Sequence, residues 1–215
     1  MTANTQKQTM DAKSSRDLER LRRTILQERG QRSYDIGKPY EDVLRVLTEA
    51  YGALVESTGH AMHRAPEHLS TVAKWLCGQG RCGLLLYGGY GLGKTTTLRA
   101  IHYAVRFLNG GYLLHYTAKQ VLSMPDEDIK SLRRNERIVM VDELGREQNE
   151  RRDYGNVSEP VIELIRFRED RGLPTVLASN LLEQEFVSKY DPYIHDRLFG
   201  SFSRIFFEGQ SYRKL

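Results

Sequence analysis

Cysteine is almost missing from this chain of 215 residues: Cys77 and Cys82 are the only two. A C-x4-C pair gives no disulfide framework and supplies half of a four-ligand zinc site, which His60, His63 or His68 would have to complete. Free thiols and solvated histidines are the simpler reading, and they fit a reducing, cytoplasmic compartment. Long apolar runs are also missing. None approaches the roughly 20 residues of a membrane span, and Met1 to Met10 lack the apolar centre of a secretory signal, so no membrane partner is expected. No internal repeat or low-complexity tract is visible. The chain has 40% apolar residues, enough for a sizeable core, and a length that suits one domain with a small appendage.

The formal net charge of +4 is unevenly placed. Residues 1–38 hold nine Lys and Arg against five Asp and Glu, while residues 39–215 hold 23 of each sign. The division expected is a basic arm over 1–38 and a globular domain over 39–215. Such an arm suits an acidic partner or a nucleic-acid backbone, and it also reads as a solvated tail. Within it, Asp11 to Arg29 can form a charged helix with Leu18, Leu21, Ile25 and Leu26 on one side, and Gly30 to Pro39 reads as a linker.

Pro39 opens an amphipathic helix with Val43, Leu47, Ala50, Tyr51 and Leu54 on one stripe. Pro66 opens another, with Leu69, Val72, Ala73 and Leu76, which Gly78 to Gly83 ends. From Leu84 the pattern alternates. Strands are expected at 84–87, 112–116, 138–142, 174–179 and 204–207. Helices are expected at 95–107, 117–123, 126–134, 157–170 and 183–190. Short apolar strands alternating with helices predict an α/β fold with a five-stranded parallel sheet covered on both faces, a three-layer sandwich.

The first strand runs into Gly88-Gly89-Tyr90-Gly91-Leu92-Gly93-Lys94-Thr95, with Thr96 opening the next helix. This is G-x-x-x-x-G-K-T between strand and helix, the setting that a P-loop requires. Gly88 and Gly93 let the backbone turn its N–H groups toward phosphate. Lys94 is suited to the β- and γ-phosphates and Thr95 to Mg²⁺, with the helix N-terminus adding positive field. A nucleoside triphosphate is therefore the expected ligand. The run Ile138 to Val141 then delivers Asp142 and Glu143 to the carboxyl edge of the sheet, where ligands bind in such folds. Asp142 would join Thr95 around Mg²⁺, and Glu143 would orient or deprotonate a water, which favours hydrolysis over a kinase reaction.

Two further residues leave alternatives open. Asn180, after the strand 174–179, can reach the attacking water or the γ-phosphate, or it can cap the next helix. Arg197, in a helix or turn before the last strand, can act as a finger into a neighbouring subunit's site, or pair locally with Asp196.

Taken in order, the glycine loop, Val-Asp-Glu-Leu-Gly at 141–145, Ala-Ser-Asn-Leu at 178–181, Asp-Arg-Leu at 196–198 and Glu-Gly-Gln-Ser-Tyr-Arg at 208–213 resemble an AAA+ ATPase. The match over about residues 40–213 is nearest to the DnaC-type helicase loaders and the related IstB transposition ATPases. The resemblance implies an ATP- and Mg²⁺-dependent ATP hydrolase with sensor 1 at Asn180, an arginine finger at Arg197 acting in trans in a homo-oligomer, a replicative DNA helicase as partner and single-stranded DNA as the surface. The chain stops soon after the fifth strand, so no C-terminal lid is expected, which agrees with the loader branch. The short N-terminal extension leaves the mode of helicase binding open.

Basic residues beside the Asp-Glu strand are candidates for nucleic-acid contact: Arg133, Arg134 and Arg137 before it, and Arg146, Arg151 and Arg152 after it, next to Tyr154. The alternative is a solvated loop in which Glu147, Glu150 and Asp153 neutralise the arginines. Tyr103, Phe107, Tyr112 and Tyr116 are expected in the core. Rival functions are a transposition regulator on duplex DNA, a nucleotide-sensing adaptor with negligible turnover and, less in keeping with Glu143, a small-molecule kinase.

Overall fold

The computed structural model describes residues 33–148, 150–153 and 156–209. The helix expected over 11–29 lies outside them. Two amphipathic helices come first, α1 (Tyr40–Glu56) and α2 (His68–Leu76), with Val43, Leu47 and Tyr51 of the first and Leu69, Val72, Ala73 and Leu76 of the second buried. Tyr34 and Ile36, in the segment just before α1, are part of this body. Tyr34 stacks on Trp75 at 5.6 Å, and the Ile36 N–H donates to the Leu76 carbonyl at 2.8 Å.

Then follow β1 (Gly83–Gly88), α3 (Lys94–Asn109), β2 (Leu114–Thr117), α4 (Ala118–Leu122), α5 (Asp126–Arg134) and β3 (Val139–Leu144). A short antiparallel hairpin, β4 (Arg151–Asp153) and β5 (Asn156–Ser158), stands where a polar loop was expected. The chain continues through α6 (Pro160–Asp170), β6 (Thr175–Ser179), α7 (Glu183–Lys189), α8 (Pro192–Ser201) and β7 (Phe202–Phe207). Helix α6 starts three residues later than the 157 expected, because Ser158 still belongs to the hairpin and Pro160 sets the first turn.

The five expected strands form one parallel sheet in the order β2-β3-β6-β1-β7. Its residues alternate between two cores, as the period of two requires. Leu84, Leu86, Met140, Val176 and Ala178 pack under α1, α2 and α3. Leu85, Val139, Val141 and Leu177 pack against α4, α6, α7 and α8. No helix among the described residues is long and apolar enough to cross a membrane.

One expectation about side chains fails here. Tyr103, Phe107 and Tyr112 are 54%, 78% and 53% exposed rather than in the core. On α3 the core stripe is Leu98, Ile101, Ala104 and Val105, which leaves 103 and 107 on the outer side; Tyr116 is partly buried. Arg168 of α6, by contrast, is fully buried. Its guanidinium donates to the carbonyls of Leu132, Asn135, Arg137 and Pro174 at 2.7–3.0 Å and to the Thr175 hydroxyl at 2.9 Å. It thereby ties the end of α5 and the entries to β3 and β6 to α6. Burial lowers its pKa to about 10, so it stays charged at neutral pH.

Arg168→Ala removes a donor from four carbonyls, of which that of Pro174 keeps the Val139 N–H and that of Leu132 the Asn135 N–H; each carbonyl left unpaired costs about 1–3 kcal/mol, so a loss of roughly 3–5 kcal/mol is expected. It should be read as a lower urea midpoint at unchanged slope. Arg168→Lys should recover only part of it, since one ammonium cannot span the same fork of carbonyls.

Candidate active site

The glycine loop and the two acids meet at the carboxyl edge of the sheet. Gly93 caps α3 in a left-handed conformation (φ 93°), and a Cβ there would lie 2.5 Å from the Tyr51 hydroxyl of α1. Only glycine meets both demands. Lys94, 6% exposed, is drawn inside the loop: its Nζ donates to the carbonyl of Gly88 at 2.9 Å and also to that of Gly89. The Thr95 hydroxyl donates to Asp142 Oδ2 at 2.9 Å. A hydroxyl and a carboxylate oxygen side by side are the hard donors that Mg²⁺ takes, and they stand at the N-terminus of a helix, where phosphate is favoured. Gly88, Gly89, Lys94, Thr95 and Asp142 are thus brought together at this edge.

The β3–β6 register explains how Glu143 is presented. Val141 pairs with Leu177 and Leu144 with Ser179, so β3 carries one extra residue at Asp142–Glu143. This is a β-bulge, a device that re-aims side chains beside sites. An unbroken strand would send adjacent residues to opposite faces. Glu143 is the one non-glycine residue with positive φ (58°) among the described residues, and its own N–H donates to Asp142 Oδ1 at 2.8 Å. Its carboxylate meets Arg146 Nη1 at 2.7 Å. The Arg146 guanidinium in turn lies 5.7 Å from the ring centre of Tyr90 in the glycine loop. Both partners of the ion pair are about half exposed, so it adds little to stability.

Asn180 follows β6, which lies between β1 and β3. It therefore emerges between the glycine loop and the acids. It is not the cap of the next helix: α7 is capped at Leu182, whose N–H is taken by Glu185. Arg197, on α8, does not pair with Asp196 either. It is held by Glu169 and Asp170 from the end of α6, and by the Tyr193 hydroxyl.

Glu147, one of the acids expected to neutralise the basic loop, behaves differently. Glu147 is 4% exposed and is bonded to Tyr190 rather than to an arginine. Arg133 pairs with Glu163, and Arg137 lies 3.8 Å over the ring of Tyr112. The cysteines bond to carbonyls, Cys82 to that of Gly172 and Cys77 to that of Lys38.

Beneath the loop lie residues that spacing did not single out as site neighbours. His68 Nε2 is 3.0 Å from the Thr97 hydroxyl, which itself donates to the Gly93 carbonyl at 2.9 Å. A hydroxyl has one proton, so His68 Nε2–H must be the donor. The ring also packs against Tyr51 and Phe207 at 5.7 and 4.7 Å.

No family model matches the sequence, and no curated protein matches it. Among solved structures, DnaI is similar over 86% of this chain and 98% of its own, at a TM-score of 0.53 and 18% identity. A putative primosome component from Streptococcus pyogenes serotype M3 is similar over 84% and 86%, at 0.49 and 17%. The DnaC helicase loader is similar over 59% and 78%, at 0.47 and 16%. The fold and the glycine loop are those of a P-loop α/β domain with a five-stranded parallel sheet, similar in fold to DnaI. More narrowly, the likeness to DnaI bears out the DnaC-type resemblance at the level of the fold.

Burial lowers the His68 pKa from 6.5 to about 4. The unfolded chain therefore takes up the proton first on acidification. The stability that neutral His68 contributes is present above pH 6.5 and is lost as pH falls through about 4. His68→Gln, which keeps a donor for Thr97, should flatten that limb of the urea midpoint against pH.

Proposed function

We propose that this chain is an AAA+ ATPase of the helicase-loader kind, which binds and hydrolyses ATP as an oligomer on single-stranded DNA and delivers a replicative helicase. The observation that carries the ATPase reading is the Thr95–Asp142 contact at the mouth of the glycine loop, with the bulged Glu143 beside it. Thr95 and Asp142 would hold Mg²⁺, which when bound supplies charge neutralisation on the β- and γ-phosphate oxygens. Lys94 and the loop N–H groups of residues 88–96 bind and orient the phosphates. Glu143 orients the attacking water and accepts its proton, for which its carboxylate must turn from Arg146 toward the γ-phosphate. Asn180, rising between the two, holds the water or the γ-phosphate from the other side.

Arg197 would serve the next subunit. Its guanidinium would exchange Glu169 and Asp170 for a neighbour's γ-phosphate and so complete a site that one chain does not close alone. The helicase as partner rests on the run of motifs from 141 to 213 together with the DnaI-like fold. DNA contact is assigned to Arg146 and the hairpin that follows it.

Glu143→Gln should bind a fluorescent ATP analogue as the parent does, while turnover falls by roughly 100-fold or more, the usual worth of a general base. Turnover at the parent rate would remove Glu143 from this role. Captured from its native cell with ATP, the same variant should retain a replicative helicase; a transposase in its place would shift the reading to transposition.

Arg197→Ala should abolish DNA-stimulated turnover. Adding Lys94→Ala chains, which still carry Arg197, should restore part of it. Absence of rescue at every mixing ratio would argue against a finger supplied in trans.

A further inference from the structure

The bulge that presents Glu143 needs to be held. A non-glycine residue at positive φ persists only where its surroundings over-determine it, and the Glu143 side chain is itself half exposed with a single ion-pair partner. The restraint comes from Leu144, Gly145 and Glu147, which follow it. The Leu144 carbonyl accepts from the Ser179 hydroxyl at 2.6 Å. The Gly145 N–H donates to Glu147 Oε2 at 2.8 Å. Gly145 has φ 96°, and a Cβ there would lie 2.5 Å from Leu181. The other Glu147 oxygen accepts from the Tyr190 hydroxyl, and the Glu147 backbone carbonyl accepts from Lys189 Nζ at 2.6 Å.

A carboxylate this buried is costly unless each oxygen has a donor. Both have one: a backbone N–H from the turn after Glu143, and a phenol from the end of α7. Burial first, and then the charge of Glu147, raise the Tyr190 pKa well above its ordinary value, so the phenol keeps its proton and remains a donor. Glu147 thus bridges the Glu143 turn to a helix 43 residues further on.

We infer that Glu147, held by Tyr190, is a positioning residue that fixes the backbone bulge from which Glu143 is presented for hydrolysis. It touches neither phosphate nor water in this scheme. It acts through Gly145, two residues from the base, while Ser179 ties the same turn to the strand end from which Asn180 rises. Base and sensor are thereby referenced to one frame. The inference rests on the proposed role of Glu143 and names the residues that set it.

The experiment uses the full-length chain and steady-state ATP turnover. Tyr190→Phe removes one hydroxyl and keeps the ring. Glu147→Gln keeps an acceptor for Gly145 and removes the charge. Each should lower kcat about 5- to 50-fold, while KM for ATP and the affinity for a fluorescent ATP analogue stay within about twofold, since the glycine loop is untouched. The double variant should be no slower than the worse single one, because both changes break one link. If KM rises as far as kcat falls, the role is general packing and the inference is overturned. If kcat stays within about twofold in both single variants while Glu143→Gln abolishes turnover, the inference fails alone. If Glu143→Gln itself turns over at the parent rate, the role of Glu143 fails first and takes the inference with it. A urea midpoint for Tyr190→Phe close to the parent's excludes unfolding as the cause of a loss.

Discussion

The 2.9 Å hydrogen bond from the Thr95 hydroxyl to Asp142 spans strands that are not neighbours. β6 lies between β1 and β3, which sets the two strands about 10 Å apart at the usual spacing. The start of α3 must therefore lean across the end of β6 to bring Thr95 to Asp142. Lys94 precedes it, Glu143 follows its partner, and Asn180 rises from the strand being crossed. Strand order, more than any one side chain, gathers these groups along the same few ångströms of sheet edge.

Two different solutions hold irregular backbone in place at the two ends of β3. At its entry, Arg168 gathers carbonyls from the end of α5 and the starts of β3 and β6. At its exit, Glu147 gathers donors. One buried cation answers exposed ends of C=O groups, and one buried anion answers N–H and O–H groups. Each joins segments far apart in sequence, so both irregular turns depend on the completed tertiary fold rather than on local preference. Beside the second of these anchors the Glu143–Arg146 pair is half exposed, which leaves the Glu143 carboxylate able to exchange partners next to a fixed turn.

Most of the layout was legible in the sequence, because apolar period and turn residues are local signals. Short runs such as Leu84 to Tyr87 and Ile138 to Val141 could hardly be anything but central strands, and the glycine loop between strand and helix announced its own geometry. The outward position of Tyr103 and Phe107 was legible too: they fall off the stripe of Leu98, Ile101, Ala104 and Val105. The hairpin had no apolar alternation in its flanks to mark them as strands. Glu147 and Arg168 were beyond reach. Each looks like a surface charge in its own segment, and only the partners brought by folding, Tyr190 in one case and the carbonyls of residues 132–137 in the other, show why a charge is buried there. The bulge is likewise a mismatch between two strands, and one strand alone cannot reveal it.

The hairpin β4–β5 forms a sheet of its own and shares no ladder with the five-stranded sheet. It departs after the anchored Glu147 and returns just before Pro160 of α6. Residues gained, lost or exchanged within it leave the register of β3 and β6 unchanged. The segment is thus decoupled from the chemistry it adjoins. A lineage carrying this fold can vary this segment while the sheet edge that holds Thr95 and Asp142 is inherited intact, and a foreign loop grafted here would test how far that independence extends.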